Sequence, residues 1–184
     1  MKRFFILITI LAIIFIGLIY FANNFWIHRY DELISKQAKI YRQDEKLIWS
    51  VIFEETWFRS WSMGEDGEVG LMQITLLVAK DWAKETGMKE IEKEISEDFV
   101  VKLKEPERNI QIGCWYLEQL GEKYRDFEAK DAMTLAAYNA GPSRVEEWTK
   151  DTTKLTEQQF IDRIGISSTK SYVSSILQRY KAQK

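Results

Sequence analysis

The sequence predicts an all-α domain carried behind a single N-terminal transmembrane helix. Three observations lead there. Residues 4–22 carry no charge, and beyond them apolar residues recur at helical spacing without sustained alternation of apolar and polar positions. Only two prolines interrupt 184 residues, and 46% hydrophobic with 14% aromatic residues supply a real core for one compact unit plus an appendage.

The run from Phe4 to Ala22 is long enough to cross a bilayer as a helix. Lys2 and Arg3 precede it. That basic flank predicts a single-pass protein of the cell membrane, its N-terminus cytoplasmic and the remainder extracytoplasmic. A cleaved signal peptide is the rival reading, but its apolar core should be shorter and end in small residues, whereas Tyr20, Phe21, Ala22, Asn23 and Asn24 follow here. Phe25 and Trp26 suit the aromatic belt at a membrane surface. No repeat, low-complexity tract or Pro/Gly-rich linker breaks the rest, so the expected division is 1–27, a cytoplasmic stub and anchor, and 28–184, one domain.

Within that domain Ile34, Ala38 and Tyr41 share one helical face, and Asp44 is placed to cap a helix bearing Leu47, Ile48, Val51, Ile52 and Glu55. A loop with Gly64, Gly67 and Gly70 follows, then a helix from about Thr75 to Thr86 that Gly87 can end. Pro106 opens the next helix, whose buried stripe is Ile110, Gly113, Cys114, Leu117 and Leu120. Shorter helices are expected near Asp131–Tyr138, Pro142–Trp148 and Thr156–Arg163, and a last one from about Ser168 to Lys181.

Charge and residue types narrow the chemistry. Lys plus Arg number 26 against 28 Asp plus Glu, and a net charge of −2 offers no electrostatic grip on nucleic acid. Cys114 is the only cysteine and His28 the only histidine, which leaves no intramolecular disulfide, no multi-cysteine metal site and no His partner for a Ser or Cys nucleophile in the globular part. Catalysis here would rest on carboxylates.

Glu55 shares the helical stripe of Ile48, Val51 and Ile52, while Glu54 is turned about 100° away. Burial among apolar neighbours disfavours the charged carboxylate and raises its pKa, which suits a general acid. An exposed glutamate at a fraying helix end is the other reading, and periodicity alone does not separate the two.

The motifs do more. Glu55, Thr56, Trp57 and Phe58 resemble the signature of the soluble lytic transglycosylase catalytic domain. Gly67 with Gly70, Leu71, Met72 and Gln73 resembles that family's glycine-bracketed loop, and Pro106, Asn109, Ile110, Gly113, Tyr116 and Leu117 its central helix. Ala136, Ala137, Tyr138, Asn139, Ala140, Gly141 and Pro142 make the strongest match, and Thr169, Tyr172 and Val173 resemble the closing block. The likeness runs in order from about Ile34 to Leu177.

The resemblance implies a lysozyme-like, goose-type helical fold and peptidoglycan glycan strands as the substrate. Family members break the β-1,4 bond between N-acetylmuramic acid and N-acetylglucosamine without water, leaving a 1,6-anhydro end. By similarity Glu55 is the catalytic acid and then base, and Gln73, Met72, Tyr138 and Asn139 bind substrate, with Met72 touching a sugar face and Tyr138 within reach of Glu55. No cofactor and no metal are implied, and no partner protein of an envelope complex is identified. Each binding residue also has a packing role to weigh: Asn139, Gly141 and Pro142 make a good turn, and a buried Tyr138 needs a polar partner whatever the function.

Gly64 stands where the family usually has Ser, and Glu68 where a small residue follows the first loop glycine; Ser168 replaces an expected acidic residue. Glu65, Asp66 and Glu68 read either as a solvated loop face or as a source of a second carboxylate opposite Glu55. A second carboxylate would permit a hydrolase of lysozyme type. A non-catalytic peptidoglycan-binding scaffold is the third reading.

Overall fold

The computed structural model describes residues 2–88, 99–152 and 154–184. Helix α1, Lys2–His28, carries the apolar run, and none of its residues is buried. The candidate span lies in this helix. A short break leads into α2, Asp31–Ile40, which buries Ile34 and Ala38.

Helix α3, Glu45–Thr56, begins as expected at Asp44, whose side chain accepts the Lys46 N–H at 2.9 Å. Such a cap satisfies one orphan donor of the first turn, at about 1 kcal/mol. Leu47, Ile48, Val51 and Ile52 are buried. The helix ends in two left-handed residues, Trp57 with φ 50° and Phe58 with φ 62°. Neither is glycine, so each costs on the order of 1–3 kcal/mol and needs outside contacts to hold it.

The glycine-bracketed loop folds on itself, with Val69 bridging Met63 on one side and Ile74 on the other. Thr75 then caps α4, Leu76–Glu85, by accepting the Val78 N–H, and Gly87 (φ +72°) ends it. Helix α5, Phe99–Leu103, is too short to register as a period in the sequence.

Pro106 opens α6, Pro106–Lys123, and Ile110, Gly113, Cys114, Leu117 and Leu120 are all buried as the spacing predicts. Helices α7, Lys130–Ala140, α8, Pro142–Thr149, α9, Glu157–Arg163, and α10, Ser167–Ala182, complete the chain. Thr156 and Gln159 form a reciprocal capping box at the start of α9. Helix α10 packs on α3 and α7, while α6 packs on α7, α2 and α4. The expected all-α architecture holds, and the core lies where α3, α6, α7 and α10 meet.

Candidate active site

Glu55 sits one residue before the end of α3 and is half-buried. Burial is the main cause that lifts its carboxyl from the ordinary 4.5 to about 7. The nearby charges of Glu68 and Glu54 add to the rise, and a hydrogen bond from Tyr172 opposes it. The Tyr172 phenol donates to Glu55 Oε1 at 2.6 Å. At neutral pH this group is close to evenly divided between acid and carboxylate.

Glu54, next in the chain, is treated differently. Its Oε2 meets Nη1 of Arg179 at 3.0 Å, and the Arg179 guanidinium lies 4.2 Å from the centre of the Phe53 ring. The 100° turn between successive helical residues therefore separates an ion-paired glutamate from one with no cation beside it among the described residues.

The loop facing Glu55 is fixed by Asn109 of α6, which is fully buried. Its amide nitrogen donates to the carbonyls of Val69 at 2.8 Å and Leu103 at 2.7 Å, and its oxygen accepts the Met72 N–H at 2.7 Å. Thr56 of α3 donates to the Leu71 carbonyl at 2.9 Å, tying the same loop to the C-terminal end of α3. At Gly70 (φ +79°) a Cβ would collide with the Asn109 amide.

The sequence-predicted residues take different places. Gln73, in a left-handed conformation with φ 48°, is half-buried and its Nε2 donates to the Gly70 carbonyl at 2.9 Å. Asn139 is exposed at the end of α7, its Oδ1 accepting the Thr169 hydroxyl at 2.7 Å. Met72 has its side chain fully buried, packed where a Cβ on Gly113 would otherwise stand. A flexible thioether fills the gap that the helical glycine leaves.

Tyr138 takes another partner. Its phenol donates to the Met72 carbonyl at 2.7 Å rather than to Glu55, because that buried carbonyl needs a donor. Tyr172 takes the role instead. Burial pushes both phenols well above their ordinary range, so they stay protonated donors. The position of Tyr172 was available from spacing, since Thr169, Tyr172, Val173 and Ile176 form one stripe of α10, and a buried phenol requires an acceptor.

Of the acidic loop residues, Glu65 and Asp66 are exposed while Glu68 turns partly inward. Its carboxylate accepts the Asp66 N–H at 3.1 Å and occupies the space that a side chain at Gly64 would fill. The two departures at positions 64 and 68 thus form one substitution of space. A cavity of about 720 Å³ lies elsewhere, among Ile27, Ile34, Trp49 and Arg179, and Glu55 does not line it.

The transglycosylase SLT domain matches residues 32–161 of the chain. The soluble lytic murein transglycosylase of Salmonella typhimurium is 38% identical over 77 residues, covering 41% of this chain and 12% of that protein. Membrane-bound lytic murein transglycosylase E of Buchnera aphidicola is 27% identical over 150 residues, covering 80% of this chain and 64% of that one. Among solved structures, an inactive variant of lytic transglycosylase Slt from Pseudomonas aeruginosa superposes with a TM-score of 0.73 at 27% identity, over 84% of this chain and 24% of that one. The 70 kDa soluble lytic transglycosylase of Escherichia coli gives 0.70 at 25% identity, over 83% and 23%. The chain therefore spans about an eighth of the soluble relative and less than two thirds of the membrane-bound one.

Proposed function

The chain belongs to the transglycosylase SLT domain family, and from that premise we propose that it is a peptidoglycan lytic transglycosylase. It cleaves the β-1,4 bond between N-acetylmuramic acid and N-acetylglucosamine and leaves a 1,6-anhydromuramic acid end. Glu55 acts twice. As the acid it gives its proton to the glycosidic oxygen while the bond to C1 breaks and the electron pair leaves with that oxygen. The substrate's own N-acetyl group stabilises the positive charge at C1. As the resulting carboxylate, Glu55 takes the proton of the C6 hydroxyl that closes onto C1, which restores the acid without consuming water.

The observation that carries this reading is the desolvated carboxyl lifted to about 7, with one phenol as its hydrogen-bond partner among the described residues. A group so poised serves as acid and as base near neutral pH. Gln73 and Asn139 offer amides for sugar hydroxyls or the acetamide, and Tyr138 and Met72 hold the loop and α7 together beneath them.

Helix α1 anchors the protein as a single-pass membrane protein, with residues 1–27 as stub and anchor and 28–184 as the catalytic domain. Lys2 and Arg3 keep the N-terminus cytoplasmic and the domain extracytoplasmic.

Glu68 favours a second reading, because a further carboxylate near Glu55 is what a water-activating hydrolase of lysozyme type needs. Mass spectrometry of muropeptides released by the full chain in mixed micelles separates the two. Anhydromuramic ends that vanish with Glu55→Gln support the transglycosylase. Reducing ends would make it a hydrolase, and wall binding without release would make it a scaffold.

A further inference from the structure

Trp26 of α1 gathers the turn after Glu55 into one aromatic cluster. Its ring centroid lies 6.2 Å from that of Trp57 and 5.7 Å from that of Trp61. Its Nε1 donates to the Trp57 carbonyl at 3.0 Å. The Arg29 guanidinium stacks 3.4 Å from the centre of the Trp26 ring and also donates to the Phe58 carbonyl. The anchor thus grips the two left-handed residues that end α3.

The cluster is only half closed. Trp57 is 44% exposed, Trp61 56% and neighbouring Met63 55%. Large apolar groups left in water next to one another mark a contact surface. Their level relative to the bilayer follows from α1. At about 1.5 Å per residue the charge-free run 4–22 spans about 28 Å, the thickness of the hydrocarbon core. Trp26 lies four residues further, about 6 Å beyond it, within the headgroup layer. Trp57 and Trp61, their rings centred no more than 6.2 Å from that of Trp26, lie at or next to that layer. Amphipathic rings with an adjacent arginine suit the polar boundary of a bilayer.

We propose that Trp57 and Trp61, together with Trp26, form a seat that rests the catalytic domain on the phospholipid headgroups of the same bilayer that α1 crosses. The proposal rests on α1 being a membrane span. The turn after Glu55 then faces lipid, and the cleft works on glycan lying next to the membrane rather than deep in the wall.

The test is spin-label accessibility in the full chain, reconstituted into vesicles of phosphatidylethanolamine and phosphatidylglycerol. Single nitroxides are placed by Ile13→Cys, Trp61→Cys and Leu77→Cys; Cys114 is buried and stays unlabelled. Leu77, 69% exposed on α4, supplies the aqueous reference. The proposal predicts a ratio of oxygen to water-soluble nickel chelate collisions that is highest at position 13, intermediate at 61 and lowest, as in water, at 77. Immersion at 13 with a water-like ratio at 61 would overturn the seat while leaving the anchor intact. A water-like ratio at 13 would overturn both. Should the label at 61 disturb the fold, quenching of tryptophan emission by brominated lipid decides: Trp57→Phe with Trp61→Phe should cut the quenched component about three-fold, since two of three interfacial indoles go. An unchanged component would leave Trp26 alone at the surface and refute the seat.

Discussion

Asn109 and Glu55 are both polar side chains set into apolar surroundings, yet their surroundings treat them oppositely. Asn109 spends its amide on three backbone partners, and a buried group so satisfied fixes the loop from Val69 to Met72. Among the described residues Glu55 receives one phenol, two like charges and no cation, and its carboxyl rises to about 7. The contrast separates two uses of a buried polar group. One holds geometry, and the other stores a proton whose release is nearly balanced at working pH.

The sharpest way to break the comparison is to alter each member. Glu55→Gln should lower muropeptide release by about 10²–10⁴-fold, the range expected for loss of a general acid and base, while helicity is kept and the melting temperature does not fall. Retention of most of the activity would remove Glu55 from the chemistry. Asn109→Leu should do the reverse: with the Val69 and Leu103 carbonyls and the Met72 N–H stranded, stability should fall by about 3 kcal/mol or more. Urea unfolding in micelles measures it, and a loss under 0.5 kcal/mol, roughly that of an ordinary surface change, would deny Asn109 its role.

Glu55 also sets a pH dependence of stability. Its folded pKa lies above its unfolded value of 4.5, so the folded state binds the proton more tightly. The favourable contribution is full below about 4.5 and is lost as pH rises to about 7. The span is up to about 3 kcal/mol, from roughly 1.4 kcal/mol per unit. Denaturation at pH values on either side of that window should show Glu55→Gln gaining on the unmutated protein toward the alkaline side.

Smaller effects tune the same group. Tyr172→Phe removes the hydrogen bond that holds the carboxyl down, so the alkaline limb of the rate profile should move to higher pH. Glu68→Gln removes a like charge and should move it the other way, by less, because a neighbouring charge acts on the carboxyl more weakly than the direct hydrogen bond from Tyr172. A shift of equal sign in both variants would contradict the assignment of those neighbours.

Much of this was legible in the sequence where the signal is local. The Asp44 cap, the α3 stripe that ends on Glu55, Pro106 at the head of α6 and Gly87 at the end of α4 are read within four residues of one another. What escaped depends on contacts across the fold. Tyr172 meets Glu55 over 117 positions, Met72 of the loop fills space left by Gly113 of α6, and Trp26 reaches Trp57 across 31 positions. Periodicity places a residue on a face but does not say which face it meets. The pairing of Gly64 with Glu68 is the intermediate case, since two departures four residues apart proved to be one exchange of volume.

The central claim, that burial prepares Glu55 as a proton donor near neutral pH, is tested most directly by titrating that carboxyl. Difference infrared spectroscopy of the full chain against Glu55→Gln isolates its protonated carbonyl band as pH is varied. The expected midpoint lies near 7. A midpoint at the ordinary 4.5 would leave Glu55 ionised at working pH and would contradict its role as the acid.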